Sequence, residues 1–214
     1  MCRNGFTRAI EYCSKNDINY DFIGLLDADT CPTETYFEYL VSAFAKDPRL
    51  GIASGGIYYD REGKQPCMRI MEKYPAGTGR LWRTACFFET GGYMVEPSPD
   101  SISTIKAGLH GWKTQNFKEI IAVQTRPTSG AEGVWKGYTI DGKNAYYLNK
   151  HPLLVFLNFI DYATQKPYYI CFAYAYGFLK ACIRRDKKID DEQIKDYYWN
   201  KRIYEYLPHF FHGK

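Results

Sequence analysis

Residues 21–59 constrain the fold of this chain more than any other stretch. The run Asp21-Phe22-Ile23-Gly24-Leu25-Leu26-Asp27 is apolar and reads as a strand. Pro32-Thr33-Glu34 marks a helix start, Tyr36, Leu40, Val41 and Phe44 recur at helical spacing, and Asp47-Pro48 ends the helix. Leu50 to Tyr59 is apolar and Gly-rich and reads as a second strand. Strand, helix and strand in that order predict an α/β unit with a parallel sheet.

The first strand runs into Asp27-Ala28-Asp29. On a strand, residues i and i+2 point to the same side, so the two carboxylates can converge on one divalent cation and a diphosphate it carries. Oxygen ligands of this kind suit Mg²⁺ or Mn²⁺, which keep waters and take further ligands from substrate phosphates. Two other readings stand beside this one. The pair can be a polar turn closing a buried strand, or the nucleophile and acid of a phosphatase. The phosphatase pattern wants Gly-Thr after the second Asp, whereas Thr30-Cys31-Pro32 follows here.

A length of 214 residues with 45% hydrophobic content suits one well-buried domain with an appendage. The net charge of +4 argues against nucleic acid as a partner. Aromatic residues make up 17% of the chain and cluster after residue 135, which marks a second structural regime. The seven cysteines lie far apart, with neither Cys-x-x-Cys nor Cys/His spacing, so reduced thiols are expected rather than zinc or a disulfide framework. The polar N-terminus reads as a helix over residues 3–15, not as a signal peptide. Residues 60–80 read as an extended loop or hairpin, 82–88 as a short helix or strand, and 120–124 as a strand. Pro97-Ser98-Pro99-Asp100-Ser101 introduces a helix that carries Ile102, Ile105 and Leu109.

Asp27-Ala28-Asp29, Gly91-Gly92-Tyr93, Pro99-Asp100 and Gly111-Trp112-Lys113 stand in an order and spacing that resembles the family 2 glycosyltransferases of the GT-A fold, over residues 3–130. The tail resembles a subgroup that builds bacterial surface polysaccharides, through Glu132-Gly133, Trp135, Gly137-Tyr138, Tyr146-Tyr147-Leu148 and His151-Pro152-Leu153. The resemblance implies a partial, Rossmann-like GT-A mixed sheet flanked by helices over residues 1–130, followed by an aromatic helical tail over 131–214. It implies an inverting, metal-dependent hexosyltransferase that moves a sugar from a nucleotide-sugar donor to a lipid-linked or polysaccharide acceptor, with Mg²⁺ or Mn²⁺ as cofactor.

Residue by residue, the resemblance makes Asp29 the aspartate nearer the cation and Asp27 the one nearer the ribose or diphosphate. Asn4, with Arg8 behind it, enters the donor pocket from the nucleotide side. Asp100 stands where the family places its catalytic base, although an Asp just before a helix is also a routine N-cap. Arg80 and Arg83 fall in the stretch that lines the acceptor or phosphate side. The family opens with strands and a nucleotide-binding loop that would precede Arg3, and their absence predicts an exposed apolar sheet edge. That absence supports a second reading, a catalytically inactive membrane-associated partner in a polysaccharide assembly complex.

The tail adds apolar runs over 153–160 and 168–182, followed by Lys180, Arg184, Arg185, Lys187 and Lys188. The second run is about 22 Å long as a helix, short of a bilayer core of about 30 Å. An in-plane helix on an anionic membrane surface is expected, at the cytoplasmic face. Residues 190–202 read as an amphipathic helix and 204–214 as a loose end.

Overall fold

The structure is a computed structural model that describes residues 2–60, 66, 71–94, 96–125 and 133–212, with side chains of 2–4 and 208–212 excepted. The chain forms two compact units, Met1–Thr128 and Ser129–Lys214.

The first unit is built on a five-stranded mixed sheet of order β1-β4-β3-β5-β2. The strands are β1 (Phe22–Leu25), β2 (Thr30–Pro32), β3 (Leu50–Tyr58), β4 (Arg80–Arg83) and β5 (Lys113–Gln124). β4 runs antiparallel to both β1 and β3, β3 and β5 are parallel, and β2 pairs antiparallel with β5. The expected strand–helix–strand unit is present, but β4 is inserted between its two strands, so β1 and β3 run parallel without touching ladders. β1 is a sheet edge.

Around the sheet lie α1 (Cys2–Lys15), α2 (Tyr36–Lys46), α3 (Thr84–Glu89) and α4 (Pro99–Leu109). Neighbouring residues of a strand face opposite sides, and the core divides accordingly. Leu81 packs with Tyr36, Leu40, Phe44 and Ile57 on the α2 side. Trp82 packs with Ile52, Cys86, Phe87 and Ala107 on the other, against Phe6 and Ile10 of α1. Strand β3 is buried on both faces, which is why its sequence is a continuous apolar run rather than an alternation.

Tyr36 ties these layers together. Its side chain is fully buried, and its hydroxyl donates to the Gly79 carbonyl at 2.7 Å and accepts from the Gly55 N–H at 2.7 Å. Burial pushes its pKa up to about 12, with the Gly55 bond acting in the opposite direction. Gly55 has no room for a side chain, since a Cβ there would lie 2.2 Å from the Ile120 carbonyl oxygen.

Several boundaries differ from those expected. Helix α2 starts at Tyr36, because Thr30-Cys31-Pro32 is drawn into pairing with β5 as the short strand β2. Strand β5 starts at Lys113 rather than residue 120, its polar first half paired along β3. The 82–88 stretch is strand and then helix, β4 and α3. Of the 60–80 stretch, 61–65 and 67–70 lie outside the described residues, and Pro66 forms an antiparallel bridge with Tyr58.

The second unit is helical: α5 (Val134–Tyr147), α6 (Pro152–Ala163), α7 (Ile170–Arg184), α8 (Glu192–Asp196), a π-helical turn (Tyr197–Lys201) and α9 (Arg202–His212). The stretch from 204, expected to be loose, is therefore helical to His212. α5 and α7 cross at Gly142 and Gly177, where an added Cβ would lie 2.0 Å from the Tyr174 and Thr139 carbonyl oxygens respectively. His151 starts α6, its Nδ1 accepting from the Leu153 N–H at 3.2 Å. Among the described residues, no helix is long and apolar enough to cross a membrane.

Candidate functional site

Strand β1 ends at Leu25, paired with Arg80, and the same register continued outward sets Asp27 opposite Thr78. At that point a side chain takes over from the ladder: the Asp27 N–H donates to Thr78 Oγ1 at 2.9 Å. The Thr78 hydroxyl donates in turn to Thr30 Oγ1 at 3.1 Å. The turn closes through Thr30 N–H to the Asp27 carbonyl at 3.0 Å. On its far side the Asp29 carbonyl accepts from the Thr125 N–H at 2.9 Å and from its hydroxyl at 3.2 Å. The two aspartates thus lie in a surface turn just beyond the strand, fixed at both ends by neighbouring strands.

Asp100 reaches the same place from α4. It sits in the first turn of that helix, after Ser98, which has left-handed backbone (φ 57) and makes no side-chain cap. Asp100 is therefore not the N-cap, and its carboxylate lies against Gly77, where an added Cβ would be 3.3 Å from Oδ2. Partial burial raises the Asp27 carboxyl above its ordinary value, and the charges of Asp29 and, more weakly, Asp100 add to this. A hydrogen bond with Thr78 acts the other way. Three acidic residues from two elements share one electrostatic field.

Arg80 and Arg83, expected on the acceptor or phosphate side, both bond to backbone carbonyls of the protein itself. Arg80 is 1% exposed. Its guanidinium donates to the carbonyls of Ala76 (2.8 Å), Pro75 (2.5 Å) and Asp100 (3.0 Å), and it lies 5.3 Å from the Trp82 ring centroid. Burial lowers its pKa, opposed by the Asp100 charge. Its work is to hold the 75–80 segment against the start of α4, which places Asp100. Arg83 pairs with Phe22 at the opposite end of β1 from the aspartates and donates to the Leu50, Phe44 and Asp47 carbonyls. Arg80 is closed off from solvent, whereas Arg83 is half-buried with its Nε and one terminal nitrogen on those carbonyls. Arg8 is exposed on α1, and the side chain of Asn4 lies outside the described residues.

A groove of about 430 Å³ runs along the β1 edge, between Phe6, Ile10 and Cys13 of α1 and Phe22, Gly24 and Leu26. It is apolar and ends at Leu26, next to Asp27. Thr30 and Thr78 are the site residues that sequence reasoning passes over. The one signal for Thr78 is its place between Gly77 and Gly79, the second with a positive φ of 62.

The acidic turn suits an open cation site. Asp27 and Asp29 are hard oxygen donors whose mutual repulsion a cation would relieve, and Mg²⁺ or Mn²⁺ completes its shell with water and phosphate oxygens. Among the described residues no three His, Cys, Asp or Glu side chains are grouped to hold a metal by themselves.

No protein-family model matches the chain. No curated protein matches it either. Among solved structures it is similar to the mannosyltransferase PcManGT from Pyrobaculum calidifontis, determined with GDP-Man and Mn²⁺, at 16% identity and a TM-score of 0.46. The match covers 80% of this chain and 51% of that one, so the chain spans about half the length of the structure it matches.

Proposed function

We propose that the chain is a glycosyltransferase of the family 2 type, taking a sugar from a nucleotide-sugar donor to a lipid-linked or glycan acceptor with inversion. What supports this reading is that the Asp27 turn and the Asp100 carboxylate flank the same short segment, Asp27 bonded to Thr78 and Asp100 lying against Gly77. Asp27 and Asp29 would hold a divalent cation, which when bound supplies positive charge to the leaving diphosphate. Asp29 is assigned nearer the cation and Asp27 nearer the ribose or diphosphate. Asp100 receives the acceptor hydroxyl proton on its carboxylate as that oxygen attacks the anomeric carbon and the nucleoside diphosphate departs. Arg80 positions this base through the Asp100 carbonyl. Asn4 is assigned to the nucleotide side of the donor. The place of action is the cytoplasmic surface of a membrane, in bacterial surface polysaccharide synthesis.

One observation favours a second reading, a catalytically inactive partner in such an assembly: β1 is a sheet edge, and the groove along it is apolar rather than shaped for a nucleotide. Calorimetry with nucleoside diphosphates and Mn²⁺ separates the two. The transferase reading expects metal-dependent binding that Asp29→Ala abolishes. It also expects Asp100→Asn to retain donor binding while transfer falls by about 10²–10⁴-fold. Absence of binding by the folded chain favours the inactive partner.

A further inference from the structure

Helix α7 carries an apolar stripe that stays largely exposed among the described residues, with Phe172 against the ring of Phe159 from α6. Tyr169, Phe172, Tyr176, Leu179 and Ile183 follow one another at intervals of three and four residues, which sets them along one face of the helix. All are exposed, Phe172 at 62% and Ile183 at 83%. Trp135 of α5 extends the stripe sideways, its ring 6.1 Å from that of Tyr169 and 6.4 Å from that of Tyr176. A contiguous exposed patch of this kind marks an interaction surface.

The charges beside the stripe identify what it meets. Residues 168–185 contain no Asp or Glu, and Lys180, Arg184 and Arg185 at the C-terminal end are exposed. They form no ion pair among the described residues. Lys180 sets its ammonium over the Tyr176 ring, 5.2 Å from the centroid, which keeps a cation beside the stripe. A second copy of this helix would bring more cations to the contact and no carboxylates. Tyr and Trp, apolar at one end and polar at the other, suit the headgroup level of a bilayer. The helix has 15 residues, about 22 Å, too short to span and long enough to lie flat.

We infer that the α7 stripe, with Trp135 and the Lys180/Arg184/Arg185 cluster, is the face by which this chain docks on an anionic lipid surface. The inference gives the membrane part of the proposed function its residues. Its test involves neither donor nor metal, so the two can fail separately.

The test is co-sedimentation of the full chain with vesicles of phosphatidylcholine alone and of an equal mixture with phosphatidylglycerol. The wild type is expected to sediment with the mixed vesicles, less as salt is raised, and weakly with the neutral ones. The double variant Leu179→Ser/Ile183→Ser removes two exposed side chains and is expected to lower partitioning about tenfold or more. The variant Lys180→Glu/Arg184→Glu is expected to erase the preference for anionic lipid. Circular dichroism confirms that each variant keeps its helices. Failure of the folded wild type to sediment overturns the proposal, as does undiminished binding by both variants. If the wild type is instead a dimer that Leu179→Ser/Ile183→Ser makes monomeric, the stripe belongs to a second copy and the proposal also falls.

Discussion

Asp27 holds its charge against resistance. Partial burial comes first among the causes, then the Asp29 carboxylate, then Asp100. A carboxyl whose pKa is raised by folding stabilises the folded chain while it is protonated. That contribution is complete below the ordinary value of 3.8 and is lost as pH rises through the folded-state value. Asp27→Asn is therefore expected to raise the thermal midpoint at neutral pH and to change it little at pH below 3.8, as scanning calorimetry at the two pH values would read. Removing the neighbour makes the companion test: Asp29→Asn should bring the Asp27 titration, followed by carboxyl carbon NMR, down toward 3.8. The same repulsion gives a cation something to relieve, and protons compete with it from a higher pH than at an ordinary aspartate. Stability and ligand capture oppose each other at this one side chain.

At the scale of elements, the layers of the first unit meet at the Tyr36 hydroxyl, which serves a donor in β3 and an acceptor beside β4 at once. Tyr36→Phe leaves the Gly55 N–H and the Gly79 carbonyl without that partner in a closed core. A loss of about 2–6 kcal/mol is expected from urea unfolding, since each of the two buried groups left unpaired costs ~1–3 kcal/mol.

What the sequence discloses about these elements depends on where their stabilisation comes from. Strand β3 and helix α2 bury their own apolar side chains, and both are legible. Strand β2 is three residues ending in Pro, held by its ladder to β5, and reads as a helix start until that partner is known. The first half of β5 is polar, Lys113-Thr114-Gln115-Asn116, and becomes a strand through pairing with β3. The candidate site divides in the same way. Its carboxylates stand in the sequence as Asp27, Asp29 and Asp100. Thr78 joins them through the register that sets residue 27 opposite 78, and Arg80 is withdrawn by burial, which a charged residue's type does not announce.

Over the whole molecule, the two units rest on different physics. The first is held by a sheet with a core on each face, the second by helices whose closest crossing is backbone against backbone at Gly142 and Gly177. Gly177→Leu would set its side chain into the Thr139 carbonyl, and overpacking of that kind costs typically ~1–3 kcal/mol, occasionally more. In a unit of this size each kcal/mol moves the midpoint by roughly 4–8 °C. A fall of about 10 °C or more in the temperature at which helical circular dichroism is lost is the expected outcome.

The acidic turn is anchored on one side by Thr78 and on the other by Thr125. Its amides at Asp27 and Thr30, and that of Thr125, are all engaged, though the Asp27 side chain is only partly shielded from solvent. Hydrogen–deuterium exchange should then show a surface loop that behaves like the interior, slow to exchange before anything is bound. A turn already set in this way would owe little ordering entropy on meeting a ligand, so its selectivity would be written into its resting shape rather than won by closing.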